Sequence, residues 1–233
     1  MTNDLLLVNE IFGPTFQGEG VYLGHPCVFL RLAGCNLSCQ WCDTPYSWDW
    51  TRYDKAKEVK RITVNDVLNQ ILQASGSSNI KRLVVSGGEP MLQQKNLYTL
   101  VNKLRQEGWT TEIETAGTIS PDTMVLVDHF TVSPKLANSG DSLKRRYHPE
   151  VLERLNTAPS RCFKFVVQTL KDFDEIDQLV QCHGLHPVVI MPEGTENTTL
   201  TRRIQELADA TLRRNYQLTT RLQITLYGNQ RAV

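Results

Sequence analysis

Short apolar runs alternate along the chain with longer stretches whose apolar residues recur every three or four positions. Leu5 to Phe12 is rich in Leu, Val and Ile and stops at Gly13-Pro14, which predicts a strand and a turn. The polar loop Thr15-Phe16-Gln17-Gly18-Glu19-Gly20 follows, then a strand from Cys27 to Leu32. Asp43 to Arg61 has no period and holds Trp48, Trp50 and Tyr53 among charged residues. A structureless loop of that length in a compact domain is usually functional or mobile. Thr63 reads as the N-cap of a helix reaching Ala74.

From there the pattern repeats. Strands are predicted at Arg82–Ser86, Thr110–Glu114, Phe130–Ser133, Arg161–Gln168, Pro187–Met191 and Arg221–Leu226. Helices are predicted at Leu92–Gln106, Pro149–Asn156, Asp172–Cys182 and Glu196–Asn215, with Pro121–Val127 a short helix or loop. The helix ending at Gly108 sets Leu97, Leu100, Val101 and Leu104 on one face. Alternating strands and helices imply parallel βαβ units. No linker or low-complexity break divides residues 1–233, so one domain is expected. Six to eight strands suit a partial or complete α/β barrel better than an open doubly wound sheet. Active-site residues of such a barrel lie at the carboxyl ends of its strands.

Composition narrows the function classes. Hydrophobic residues make up 40% of the 233, enough for a substantial core, and the formal net charge is zero. The longest basic tract is Lys144-Arg145-Arg146, which gives nucleic acid no electrostatic footprint. No apolar run approaches the ~18 residues of a transmembrane helix. Met1-Thr2-Asn3-Asp4 lacks the basic region of a secretory signal, and six cysteines are too few for a disulfide scaffold. A cytoplasmic location is expected. Cys27, Cys162 and Cys182 lie in or beside apolar stretches and read as small buried hydrophobes.

The remaining cysteines carry the chemistry. Cys35, Cys39 and Cys42 stand at C-x3-C-x2-C spacing. Three cysteines within eight residues point to a shared soft metal rather than to separate burial. Bound to a four-iron cluster they would leave one iron open. A closed zinc site is the alternative, with Cys27 or His25 as fourth ligand. Polar clusters follow the strands: Ser86-Gly87-Gly88-Glu89-Pro90, Glu114-Thr115-Ala116-Gly117, Ser133-Pro134-Lys135 and Gln168. Gly87-Gly88 would let the backbone approach a ligand closely. Arg31, at the end of its strand, either reaches a polar site or stands in solvent on an edge strand.

The cysteine spacing and the GGE motif at Gly87-Gly88-Glu89 resemble the radical S-adenosylmethionine enzymes. Six motifs in order resemble the 7-carboxy-7-deazaguanine synthase family more narrowly: Phe16 to Gly20, Arg31 to Leu37, Cys42-Asp43-Thr44, Ser86 to Pro90, Glu114 to Gly117 and Ser133 to Lys135. The resemblance covers roughly residues 8 to 170. It implies a partial, TIM-like β/α barrel of the radical S-adenosylmethionine type, with a cluster-binding loop at 35–61. It also implies conversion of 6-carboxy-5,6,7,8-tetrahydropterin to 7-carboxy-7-deazaguanine with loss of ammonia, on the route to queuosine and related 7-deazapurines. The cofactors would be a 4Fe-4S cluster, S-adenosylmethionine and Mg²⁺.

Carried over residue by residue, Phe16, Gln17, Gly18, Ser86 and Glu114 would contact the pterin, and Arg31 would pair with its carboxylate. Cys35, Cys39 and Cys42 would hold the cluster and Thr44 the Mg²⁺. Gly88, Glu89, Ser133, Pro134, Lys135 and Gln168 would line S-adenosylmethionine. The mechanism implied is hydrogen abstraction at C6 by a 5′-deoxyadenosyl radical, radical ring contraction, return of the hydrogen and elimination of ammonia. The resemblance further implies a homodimer and a flavodoxin- or ferredoxin-type electron donor. One departure is the C-terminal stretch from Leu222 to Val233, which lacks a His-Lys pair found in related enzymes; Tyr227, Asn229 and Arg231 are the candidates to replace it. The alternatives are another small radical enzyme of the same superfamily, such as a glycyl-radical activating enzyme, and a non-catalytic metal-binding module.

Overall fold

Residues 4–233 are described by the structure, a computed structural model. Met1 to Asn3, part of the stretch read as lacking a secretory signal, lie outside the described residues. A single nine-stranded sheet runs in the order β3-β1-β2-β4-β5-β6-β7-β8-β9 and does not close on itself. Its strands, in chain order, are β1 (Leu5–Phe16), β2 (Pro26–Leu32), β3 (Lys60–Thr63), β4 (Arg82–Gly87), β5 (Thr110–Thr115), β6 (His129–Val132), β7 (Arg161–Val167), β8 (Val188–Pro192) and β9 (Gln217–Leu218). The helices are α1 (Lys55–Glu58), α2 (Val64–Ser75), α3 (Gln94–Gln106), α4 (Leu143–Arg146), α5 (Pro149–Asn156), α6 (Asp172–His183), α7 (Asn197–Arg213) and α8 (Leu222–Tyr227). Every neighbouring pair from β2 to β9 is parallel, so of the partial or complete barrel that the alternation allowed the partial one is present, as the resemblance implied, with nine strands rather than six to eight.

The period-two alternation of each strand sorts its side chains between two layers. Leu83 and Val85 of β4, with Phe163, Phe165 and Val167 of β7, face the helices and join the main core. That core includes Val64, Val67 and Ile71 of α2, and Leu97, Leu100, Val101 and Leu104 of α3. The intervening positions point into the barrel and are largely polar: Glu112, Thr131, Cys162 and Lys164 are all buried. Thr131 Oγ1 donates to Glu112 Oε1 at 2.7 Å, and Cys162 Sγ donates to Thr131 Oγ1 at 3.7 Å.

Several expectations need correction. The sheet is not parallel throughout, because β1 runs antiparallel to both β2 and β3. The β1–β2 connection has no crossover helix. It is a tight loop in which Gln17 N donates to His25 O and Gly24 N to Gln17 O, both at 2.8 Å, and a short loop can only return the chain antiparallel. β1 also continues past Gly13-Pro14 to Phe16, a register shift between Phe12 and Thr15 absorbing the interruption. The supposedly structureless stretch 43–61 contains α1, capped by Asp54 accepting from Ala56 N, and the start of edge strand β3. Pro121–Val127 is a loop.

Arg221–Leu226 is not the last strand. Leu222–Tyr227 is helical, and β9 lies just before it. The alternation Leu222, Ile224, Leu226 imitated a strand, yet only Ile224 is buried and Leu226 is 48% exposed, so no two-sided burial required one. Cys182 is exposed, whereas Cys27 and Cys162 are buried as expected. The buried face of α6 passes through Phe173 and Ile176, and Cys182 falls off that stripe. Among the described residues no helix is long and apolar enough to cross a membrane.

Candidate active site

β2 hands Arg31 and Leu32 to a tight bend at Gly34, whose φ of +94° favours glycine, and the chain enters the cysteine loop. That loop is braced from outside. Gln40 N donates to Ser139 O at 2.9 Å, Ser38 N to Asp141 Oδ2 at 3.1 Å, and Arg145 Nη2 to Asn36 O at 2.7 Å. From inside, Gly34 N donates to Ser47 O at 2.8 Å. So held, Cys35, Cys39 and Cys42 line one wall of a cavity of about 540 Å³. Leu37 and Ala116 pack with Cys39 and make that wall apolar. Burial pushes the Cys35 and Cys39 thiols up to about 12, so a soft metal displacing their protons is what would make thiolates of them.

The donor set fits a cluster better than a single ion. Among the described residues no fourth Cys and no His lines the cavity with Cys35, Cys39 and Cys42, so the three thiols form an open donor set. A zinc site needs its ligands within about 2.0–2.3 Å of a common centre. Cys27, the candidate fourth zinc ligand, is fully buried in β2, and neither it nor His25 lines the cavity.

Gly87 and Gly88 pack against the chain itself. Gly88 N donates to Leu32 O at 3.0 Å and Glu89 N to Gly34 O at 2.8 Å. A Cβ at Gly87 would overlap Leu32 O, and one at Gly88 would overlap Gly34 O. The two glycines thus seat the β4 turn on the root of the cysteine loop. The Glu89 side chain turns away from the cavity. Its carboxylate is fully buried and accepts from Ala116 N at 2.7 Å, Thr115 Oγ1 at 2.8 Å and Met91 N at 3.0 Å, stitching the ends of β4 and β5 together. Burial raises its pKa.

The cavity floor is a buried charge network. Lys164 of β7 ion-pairs with Glu19 and stands 3.6 Å from Glu114 Oε1. Ser86 Oγ donates to Glu114 Oε2 at 2.8 Å, and Gln17 Nε2 donates to Glu114 Oε1 at 3.3 Å. Burial raises the Glu114 pKa against the opposing pull of Lys164. Burial works the same way on Glu19, but Lys164 and Arg221 outweigh it and hold that carboxyl well below the usual range. Arg221, at the start of α8, donates to Glu19 Oε1 at 3.0 Å and to Gly194 O at 2.6 Å, and pairs with Asp43.

Arg31 and Thr44 form the opposite side. β2 lies between β1 and β4, so Arg31 is not on an edge; its side chain is 14% exposed and faces the cavity. Its Nε donates to Glu10 Oε2 at 3.0 Å. The Thr44 carbonyl makes the following turn, accepting from Ser47 N at 2.9 Å, while its hydroxyl makes no cap bond and sits 3.7 Å from Cys42 Sγ. On the far wall Lys135 Nζ donates to Ser133 Oγ at 2.8 Å.

The C-terminal segment closes one side. Arg231 lies 3.6 Å from the centre of the Tyr46 ring and donates to Glu10 Oε1 at 2.7 Å and Glu58 Oε2 at 2.8 Å. Thr15 Oγ1 donates to Val233 O at 2.9 Å. Of the three candidates to replace the missing His-Lys, Asn229 and Arg231 reach the cavity and Tyr227 does not.

One cavity therefore gathers Phe16, Gln17, Gly18, Arg31, Cys35, Cys39, Cys42, Thr44, Ser86, Gly88, Glu114, Ser133 and Lys135. Glu89, Pro134 and Gln168 do not line it, and Gln168 N instead donates to Asp172 Oδ2 at 2.7 Å. Lys164, Arg221 and Gln223, whose Nε2 donates to Glu19 Oε1 at 2.9 Å, are not among the site residues expected from the sequence, and Glu19 is there only as part of its loop, with no role of its own. Lys164 did carry a signal, a lone lysine inside the apolar run Cys-Phe-Lys-Phe-Val-Val. Arg221 carried none, since its partners are distant in sequence.

A family model described as a 4Fe-4S single cluster domain matches residues 16–127. The crystal structure of QueE from Escherichia coli superposes with a TM-score of 0.72 at 27% identity, covering 94% of each chain. Streptococcus suis SuiB bound to S-adenosylmethionine, at 14% identity and a TM-score of 0.55, shares the fold alone; it is matched over 84% of this chain and 53% of its own. The 7-carboxy-7-deazaguanine synthase of Bacillus cereus is 39% identical over 193 residues, covering 82% of this chain and 77% of that one. The synthase of Pyrobaculum aerophilum is 35% identical over 229 residues, 96% of both chains. Identity of that order along nearly the whole of both chains sets aside a glycyl-radical activating enzyme and a non-catalytic module: the chain belongs to the 7-carboxy-7-deazaguanine synthase family of radical S-adenosylmethionine enzymes.

Proposed function

We propose that the cavity binds 6-carboxy-5,6,7,8-tetrahydropterin beside S-adenosylmethionine and Mg²⁺ and converts the pterin by ring contraction, with loss of ammonia, to 7-carboxy-7-deazaguanine, in queuosine biosynthesis. The observation that carries this is the meeting of three cysteine thiols, a guanidinium and a buried carboxyl on one cavity of about 540 Å³. Cys35, Cys39 and Cys42 would hold a 4Fe-4S cluster and leave one iron for the methionine moiety. When bound, such a cluster would supply one-electron reduction to the sulfonium of S-adenosylmethionine.

The protein contributes binding, orientation and exclusion of water. Arg31 presents a guanidinium whose planar fork suits the pterin carboxylate. Thr44 offers a hydroxyl to Mg²⁺, which takes oxygen ligands. Glu114, which accepts from Ser86 and Gln17 beside Lys164, offers a carboxylate oxygen to the edge of the pterin ring. Ser133 and Lys135 face the nucleoside and carboxylate of S-adenosylmethionine, and Gly88 keeps that wall low. The segment at Arg231 screens the pterin side from solvent. The electron donor would be of flavodoxin or ferredoxin type, the assembly a homodimer, and the location cytoplasmic.

The test is an anaerobic assay of the reduced, iron-loaded protein with 6-carboxytetrahydropterin, S-adenosylmethionine and Mg²⁺. Formation of 7-carboxy-7-deazaguanine supports the assignment; no product from protein with its full iron content defeats it. Thr44→Ala should chiefly raise the Mg²⁺ requirement, and an unaltered Mg²⁺ dependence removes Thr44 from that role.

A further inference from the structure

The three cysteine sulfurs do not have equal surroundings. Cys35 Sγ accepts a backbone hydrogen bond from Leu37 N at 3.4 Å. Cys39 Sγ is 3.5 Å from Asp141 Oδ2, a carboxylate engaged by Ser38 and Arg145. Cys42 Sγ alone of the three accepts from a side-chain N–H: the indole Nε1 of Trp48 donates to it at 3.2 Å. The indole has no other hydrogen-bonding group to satisfy. Trp48 is held in place by its backbone, which donates to Pro45 O at 3.1 Å, and by the turn that Thr44 and Ser47 close. Trp48 lines the cavity beside Cys42.

A hydrogen bond to a cluster thiolate withdraws charge from sulfur. It therefore favours the reduced cluster, which carries one more negative charge, over the oxidised one. The added electron comes from an external one-electron carrier; no bond to the protein forms or breaks. The tryptophan of the 43–61 stretch, otherwise an aromatic wall residue, is thereby given an electronic role.

We infer that the Trp48 indole N–H tunes the cluster at Cys42, raising its reduction potential so that a biological one-electron donor can reduce it. This rests on the assignment of Cys35, Cys39 and Cys42 as cluster ligands. Trp48 acts through Cys42 and is a positioning residue, not a catalytic one.

The experiment is potentiometric titration of the anaerobically purified, iron-loaded protein, followed by the electron paramagnetic resonance signal of the reduced cluster. Two variants are compared with the parent: Trp48→Phe, and benzothienylalanine placed at position 48, which keeps the shape of indole and replaces only its N–H. Iron content is measured in each. The expected result is full iron with a lower potential in both, a roughly tenfold loss in the reduction equilibrium, equivalent to about 59 mV for one electron. An unchanged potential at full iron content overturns the inference. So does loss of the cluster in the benzothienylalanine protein, since Trp48 would then be needed for its shape or for assembly. A parent protein that takes up no iron instead sinks the cluster assignment, leaving a result that cannot be confused with either.

Discussion

Gly88 lies directly against the carbonyl of Gly34, so that a methyl group at Gly88 would come within 1.9 Å of that oxygen. The contact joins the end of β4 to the root of the cysteine loop, and Glu89 N completes it by donating to Gly34 O at 2.8 Å. Gly88→Ala should force the loop outward. Overpacking of this kind costs about 1–3 kcal/mol. The expected outcome is a lower melting temperature together with reduced iron content after reconstitution. Parental values for both would mean that the turn yields without disturbing the cysteines.

Lys164 is the buried counter-ion of the cavity floor, its side chain 5% exposed. Removing one member of a buried ion pair leaves the other uncompensated and costs about 3–5 kcal/mol. Arg221 still neutralises Glu19 when Lys164 is gone, so the loss falls on Glu114. Lys164→Met should lower the urea midpoint accordingly, and the double change Lys164→Met with Glu114→Gln should recover part of it. A midpoint equal to the parent's would show that water screens the pair.

Arg231 fixes the C-terminal segment over the cavity by its contact with Tyr46 and its pairs with Glu10 and Glu58. Cation–π contacts at partly exposed sites contribute about 1 kcal/mol. Arg231→Ala should raise KM for the pterin roughly fivefold with little change in kcat. Hydrogen exchange at residues 229–233 should quicken in parallel. If exchange and KM both stay at parental values, Arg231 does not hold the segment.

His129 is buried among Tyr22, Ser160 and Arg82, and burial, followed by the Arg82 charge, lowers its pKa to about 4 from an ordinary 6.5. As pH falls through that window the unfolded chain takes the proton first. The stability His129 contributes is complete above about pH 6.5 and is lost progressively towards about pH 4. The loss amounts to at most about 3 kcal/mol. Denaturant unfolding at pH 7 and pH 4.5 should therefore show a smaller acid loss for His129→Gln than for the parent. The comparison cancels the carboxylates that titrate in the same range. Equal losses in the two proteins would place the acid sensitivity elsewhere.

Local rules were enough for much of this protein. The alternation of apolar runs and amphipathic stretches determined the βα repeats, since strand and helix periods differ and each buries one face. Thr63 capped its helix as its side chain required, with Asp66 N donating to Thr63 Oγ1 at 3.2 Å. The cysteine spacing and the polar groups at strand ends marked the site, because parallel strands deliver their carboxyl ends to one rim.

Tertiary structure decided what depended on distant partners. It made β1 antiparallel through a loop too short to cross over, and made Leu222–Tyr227 a helix where period-two alternation had suggested a strand. It turned Glu89 away from the cavity to bind the ends of β5, though its motif placed it beside the cofactor. It assembled Lys164, Glu19, Arg221 and Asp43 from four separate stretches of chain. No local pattern encodes such a network, because buried charges are stable only once the fold has brought their partners within reach.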